Sequence, residues 1–306
     1  MDIPFVTWHQ DGVQAWADAQ PERAVLVLAM RGFVDAGRAN TLLTEQILEQ
    51  SEATRVADFS IDAMFDYRSR RPEMTFSVNE WTYYNAPSLQ LDMVMDSDGR
   101  PFLLMHGVEP DFQWERLIGA VRDIVNDLGV SLTLGAHGIP MAAPHTRPLL
   151  TTIHGTKQDV LPDTPTMFGT VVVPASAHNL LEYRFGEWDL DVRTVVVHVP
   201  HYLAQSSYPQ AAMAAAEAIE EISELRIDTG SLTGAAETAA AEIERQAGES
   251  PEVQDLVAGL ERQYDLAQAA RDGIGPLGGP LPSAEELGAE FEKFLEQQRR
   301  DFPPNA

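Results

Sequence analysis

From residue 23 to residue 225, short apolar runs alternate with segments whose apolar residues recur at helical spacing. No other feature restricts the fold as much. Runs such as "RAVLVLAM" (23–30) and "VRTVVVHVP" (192–200) carry almost no polar face. Both of their sides must be covered, as in a strand inside a sheet lined by helices. "VADF" (56–59), "VSLTLGA" (130–136) and "GTVVVPA" (169–175) read as further strands. "SLQLDMVMD" (88–96) alternates, Asp98–Gly99 makes a turn, and "PFLLMH" (101–106) follows, which is a hairpin signal.

The helical segments lie between these runs. "AGRANTLLTEQILEQ" (36–50) is one. In "QWERLIGAVRDIVNDL" (113–128), Trp114, Leu117, Ile118, Val121, Val125 and Leu128 form one stripe. Ser176 is placed to cap a helix through "HNLLEYRF", and Ser207 to cap one with Pro209 in its first turn. The alternation predicts the α/β class, with a mostly parallel sheet and helices on both faces. After Leu225 the strand signals stop. "PEVQDLVAGLERQYDLAQAAR" (251–271) is a helix behind the cap Ser250, and beyond a Gly/Pro break Leu287, Phe291, Phe294 and Leu295 form an apolar stripe. The expected division is an α/β/α domain over residues 1–227 and an all-helical region over 228–306.

Composition narrows the functional classes. With 306 residues, 44% of them hydrophobic, the chain can bury a substantial core. Its longest apolar runs fall far short of the roughly 20 residues that cross a membrane. "MDIPFVTWHQ" has no basic segment followed by an apolar one, so a cytoplasmic protein is expected. There is no cysteine, which excludes disulfides and thiolate chemistry. A net charge of −26 argues against nucleic acid or an anionic membrane as partner.

Three apolar runs stop at His-Gly: His106–Gly107, His137–Gly138 and His154–Gly155. Arg31 and His201 also follow apolar runs. Ligands of open α/β sheets bind beyond the carboxyl ends of the strands. Arg31, His106, His137, His154 and His201 are therefore expected to line one crevice and to bind an anion or move protons. The alternative is that each imidazole ends a strand and bonds a loop. His198 and His201 would face opposite sides of a strand, so no metal site is expected. "DYRSRRP" gathers Arg68, Arg70 and Arg71, either as forks for a carboxylate or phosphate or as partners of nearby aspartates. Glu109, Asp111 and Glu115 stand at a helix start, where acids suit the helix dipole. In "GIPMAAPHTRPLL" (138–150), three prolines stiffen a loop holding His145 and Arg147. These two residues, Glu109, Arg68, Arg70 and Arg71 join the candidate crevice. No dinucleotide, phosphate-loop, nucleophile-elbow or zinc-protease motif is present.

Five ordered motifs, "RGFVDAG", "DYRSRRP", "GVEPDFQWE", "GIPMAAPHTRP" and "VVVHVPHYLAQSSYPQAA", resemble the proteasome-assembly-chaperone-type (PAC2-like) family in its actinobacterial branch. The resemblance spans about residues 20–225 and includes the helical tail. It implies a three-layer α/β/α domain similar to purine nucleoside phosphorylases, self-association (by analogy with that fold, as a trimer), no cofactor and no assigned catalytic residue. Two functional classes follow. One is a scaffold or assembly factor working through protein contacts; the other is a small-molecule enzyme or sensor of the phosphorylase or hydrolase type.

Overall fold

The protein's three-dimensional structure, a computed structural model, describes residues 3–162 and 170–271. Its centre is four parallel strands: β7 (Pro101–Val108), β2 (Val25–Arg31), β8 (Leu132–Met141) and β10 (Val192–Pro200). β10 is buried along its whole length, as an apolar run without a polar face requires. Four further strands flank this centre in antiparallel pairings: β6 (Leu89–Met95), β3 (Thr54–Phe59) and β1 (Val6–Trp8) on one side, β9 (Thr151–Gly155) on the other. The order is β1-β3-β6-β7-β2-β8-β10-β9. The sheet is thus mixed rather than mostly parallel. The turn at Asp98–Gly99 folds β7 straight back on β6, and that direction passes outward to β3.

Helices cover both faces. α2 (Ala39–Gln50) and α5 (Pro209–Ser223) set Leu43, Ile47, Ala211, Ala215 and Ile219 against Val27, Leu104, Leu134 and Val197. α1 (Gln10–Ala19), α3 (Trp114–Asp127) and α4 (Ala177–Glu187) set Trp16, Leu117, Val121, Leu181 and Phe185 against Leu26, Leu28, Leu91 and Leu103 on the other face. Each fully buried large side chain contributes about 1.5–3 kcal/mol. Beyond Leu225 the described residues form α6 (Gly230–Glu249), whose Leu232 joins the α2/α5 core, and α7 (Pro251–Arg271), which packs on α6. No described helix is long and apolar enough to cross a membrane.

Two expectations change. Of "GTVVVPA", the described residues 170–175 form no strand, and Val172 is fully exposed. β9 takes the place beside β10, and Pro174 interrupts the run with a residue that has no N–H to donate. Ser207 does not cap α5; Tyr208 occupies the N-cap and Pro209 opens the helix, where its missing donor costs nothing. Ser176 does cap α4, accepting from Asn179 N at 3.1 Å, and Ser250 caps α7. The apolar stripe from Leu287 to Leu295 lies outside the described residues.

The His-Gly pattern has a backbone cause. A Cβ at Gly107 would lie 2.0 Å from the Ser88 carbonyl oxygen, at Gly138 2.1 Å from that of Ala36, and at Gly155 2.2 Å from that of Val192. Each glycine lets a neighbouring chain pass where no side chain fits. Gly107 also sits at φ +135°, a backbone conformation that other residues rarely adopt. Gly107→Ala combines that strain with the clash and is expected to destabilise the fold by roughly 3 kcal/mol. A urea titration checks this, through a lower midpoint with an unchanged slope.

Candidate functional site

The site begins with Glu109, at the end of β7 and nearly buried. Its Oε1 accepts from Ala177 N, the first residue of α4, at 2.6 Å, and its Oε2 accepts from Phe33 N at 3.2 Å. A carboxylate at a helix N-terminus is favourable. This one also ties α4 to the loop after β2. So anchored, α4 lies over β8, β10 and β9 and carries two side chains of the candidate site one turn apart, His178 and Glu182.

His178 fits because β8 has glycine beneath it; a Cβ at Gly135 would lie 2.0 Å from the imidazole. His178 Nε2 meets Thr194 Oγ1 at 3.0 Å, and the Thr194 hydroxyl donates to Glu182 Oε2 at 2.6 Å. With its one proton given to the carboxylate, the hydroxyl accepts from His178, which therefore carries a proton on Nε2. Glu182 Oε1 meets His154 Nδ1 at 2.7 Å. His137 stands edge-on to His178, ring centroids 6.2 Å apart. The result is a chain from half-exposed His154 through Glu182 and Thr194 to His178, with His137 beside its inner end.

Burial holds His137 down to about 3 and His178 to about 4; neighbouring imidazoles push the same way, against the pull of Glu182. Burial pushes the Glu182 carboxyl up. The hydrogen bonds from His154 and Thr194, with the nearby imidazole charge, outweigh it and hold the group below the usual carboxylate range. The outer end of the chain opens on a groove of about 480 Å³ between α4 and β9, lined by His154, Thr156, Asn179, Glu182, Tyr183 and Glu187. A His donating Nδ1–H to a carboxylate presents Nε2 as a proton acceptor, which is the orientation general bases use. Among the described residues no group of three or more His, Asp or Glu has metal-binding geometry.

The remaining candidates do not gather here. His106 and His137 lie within strands rather than beyond them, and on opposite faces. His106 shares a side with Leu104 under α2 and α5, whereas His137 faces α4. His106 Nε2 meets buried Asp92 Oδ2 at 2.8 Å, and Arg55 donates to the other oxygen. Burial pushes the Asp92 carboxyl up, but these two partners bring it below its ordinary value. Because β9 is antiparallel, His154 pairs with Thr194, near the start of β10 and away from the carboxyl edge. Arg70 donates to the Glu109 carbonyl at 2.6 Å and to Asp111 at 2.7 Å, and its guanidinium lies over Phe65. Arg31, Arg68 and Arg71 are exposed, without a side-chain partner among the described residues.

His201, at the end of β10, leads into Tyr202, whose hydroxyl lies 2.7 Å from His145 Nδ1. Arg147 forms a two-pronged pair with Asp265 of α7, at 2.8 and 2.9 Å, and reaches Glu261 at 3.0 Å. Tyr264 donates to the Pro148 carbonyl at 3.0 Å. The proline-rich loop is thus a dock for α7, and Arg147 pairs within the fold. Sequence reading missed His178, Glu182 and Thr194; the usable signal was the "LGAHG" glycine that makes room for a ring.

With this geometry in hand, likeness to known proteins is informative. The PAC2 family profile matches residues 29–247. The chain belongs to the PAC2 family. A Mycobacterium tuberculosis protein of unknown function is 40% identical, with a TM-score of 0.80, 89% of this chain and 93% of that one being covered. A Mycobacterium tuberculosis proteasome-assembly chaperone homologue is 21% identical, with a TM-score of 0.68 over 76% and 99%. A Pyrococcus furiosus proteasome activator is 15% identical, with a TM-score of 0.56 over 79% and 98%; these last two share the fold. A comparison with curated proteins finds no match. The PAC2 assignment agrees with the motifs read from sequence, and the mycobacterial relative agrees with the actinobacterial branch.

Two outcomes are expected. An unfolded histidine titrates near 6.5, so below about that pH the unfolded chain binds protons that folded His137 and His178 refuse. Their contribution to stability is complete above about pH 6.5 and is lost as pH falls toward 4, at up to ~1.4 kcal/mol per pH unit for each. Urea titrations between about pH 7 and pH 4.5 check this; His178→Gln should flatten the slope. Arg147→Ala should free α7 from the proline-rich loop. Limited proteolysis would then cut residues 251–271 faster, with the main unfolding transition little moved.

Proposed function

We propose that this PAC2-family chain is a non-enzymatic scaffold or assembly factor that works through protein contacts, as a homo-oligomer in the cytoplasm. The observation that carries the proposal is a hairpin outside the main sheet, β4 (Met74–Ser77) and β5 (Glu80–Tyr84). Every residue of both strands is exposed, and they include Met74, Phe76, Trp81, Tyr83 and Tyr84. An isolated two-stranded hairpin is marginal in water, and large exposed apolar patches mark interaction sites. Trp and Tyr are also the side chains that dominate interface energies. On a chain of net charge −26, an aromatic hairpin is a surface meant to be covered.

A relative called an assembly-chaperone homologue and another called a proteasome activator share this fold, which supports the same reading. The stoichiometry we favour is a trimer, by analogy with the phosphorylase-type three-layer fold, with residues 1–227 as the α/β/α unit and 228–306 as a helical region. Light scattering at micromolar concentration is expected to give three chain masses, and Trp81→Ser with Tyr83→Ser to give one. A wild-type monomer, or a double variant of undiminished mass, overturns the proposal.

A second reading, a small-molecule enzyme or sensor of the nucleoside phosphorylase or hydrolase type, is favoured by the His154–Glu182 pair. Thermal shift with nucleosides, phosphate and sugar phosphates separates the two, because a ligand bound only by the folded state raises the midpoint.

A further inference from the structure

β9 is the last strand of the sheet, and among the described residues no strand pairs with its outer edge. The bonds His198 N to Leu150 O, 2.9 Å, and Thr156 N to Val192 O, 3.0 Å, bracket the strand and fix its alternation. Even-numbered residues turn their backbone groups to β10. Thr151, Ile153 and Gly155 turn theirs outward. Of these outward groups, the Gly155 carbonyl accepts from Gln158 at 3.0 Å. The others have no partner among the described residues. β9 carries neither proline nor lysine in its five residues, two of the features that blunt an edge.

The groove runs along this edge. α4 approaches it closely at Gly186, where a Cβ would sit 3.4 Å from Thr156, and presents Asn179, Glu182 and Tyr183 beside it. A strand laid about 4.8 Å outside β9 would project alternate side chains over this wall. The charge there is negative. Glu182 opens on the groove, and Glu187 lies a turn further along α4, partly offset by Arg184. Tyr183 exposes its ring, which has the Arg184 guanidinium 5.6 Å from its centroid and leaves surface on which an aliphatic stem can lie. A second copy of this strongly acidic chain is a poor occupant.

We propose that the β9 edge and the α4 groove form a docking site for an extended peptide segment of a partner protein. The segment adds as a ninth strand and places a lysine or arginine against Glu182. Backbone bonds to Thr151 and Ile153 supply affinity, and the basic side chain supplies selectivity. The site is separate from the hairpin, so it rests on the protein-contact reading but not on the oligomer.

The test uses the full chain and a fluorescent seven-residue peptide of alternating Val and Thr with one central Lys. Binding is followed by anisotropy up to about 1 mM peptide. The expected result is saturable binding, weakened about tenfold by a Lys-to-Glu exchange in the peptide and by Glu182→Gln in the protein. N-methylation of alternate peptide nitrogens should abolish binding in one register and spare it in the other. Absence of binding, or binding indifferent to the charge exchange or to N-methylation in both registers, overturns the proposal. Chain mass measured on the same samples reports the hairpin reading separately.

Discussion

A single buried carboxylate holds α4 and the candidate site in place. Glu109 accepts from the first N–H of α4 and from the loop after β2, while its own carbonyl accepts from Arg70. Three connections that are distant in sequence therefore meet at one residue. A buried carboxylate is tolerable when its oxygens are satisfied by aimed donors. Here the donors are backbone groups whose direction depends on the strands and helix they terminate. The position of α4 follows from this meeting, and with α4 come His178, Glu182 and the wall of the groove.

The sheet uses its two faces differently. Under α2 and α5 the core is apolar at the centre and turns polar toward β6 and β3, where Asp92 is satisfied by His106 and Arg55. Under α4 the polar groups stand close to the middle of the sheet, and order is kept by giving each proton one destination. Thr194 receives from one histidine and donates to the carboxylate that the other histidine also serves. Such a network stiffens its surroundings only while it is complete. Burial keeps His178 within it and His137 beside it neutral.

Much of the fold was legible in the sequence because burial writes itself into patterns. β2 and β10 are unbroken apolar runs, α3 shows its stripe, and Ser176 and Ser250 announce the helices they cap. The hairpin of β4 and β5 was not legible, since its alternation of aromatic and polar residues serves a surface rather than a core. "GTVVVPA" misled for the complementary reason: its valines look buried and are exposed. At the site, residue types were easier to read than directions. Histidines at apparent strand ends suggested one crevice, but the antiparallel course of β9 and the opposite faces of β7 and β8 spread them over separate groups. His178 and Glu182 were invisible because helical spacing alone does not say which sheet residue will lie beneath them. The repeated His-Gly was a true regularity whose cause was the glycine.

The hairpin leaves and rejoins the body at nearly one point, with Asn85 N bonded to the Glu73 carbonyl oxygen at 2.9 Å. The chain between them is therefore an excursion whose ends already touch. Its aromatic strands carry no layer of the core, so its length and surface could vary among relatives without disturbing the strands on either side. On the proposed reading, partner contact and fold maintenance then rest on different stretches of the chain.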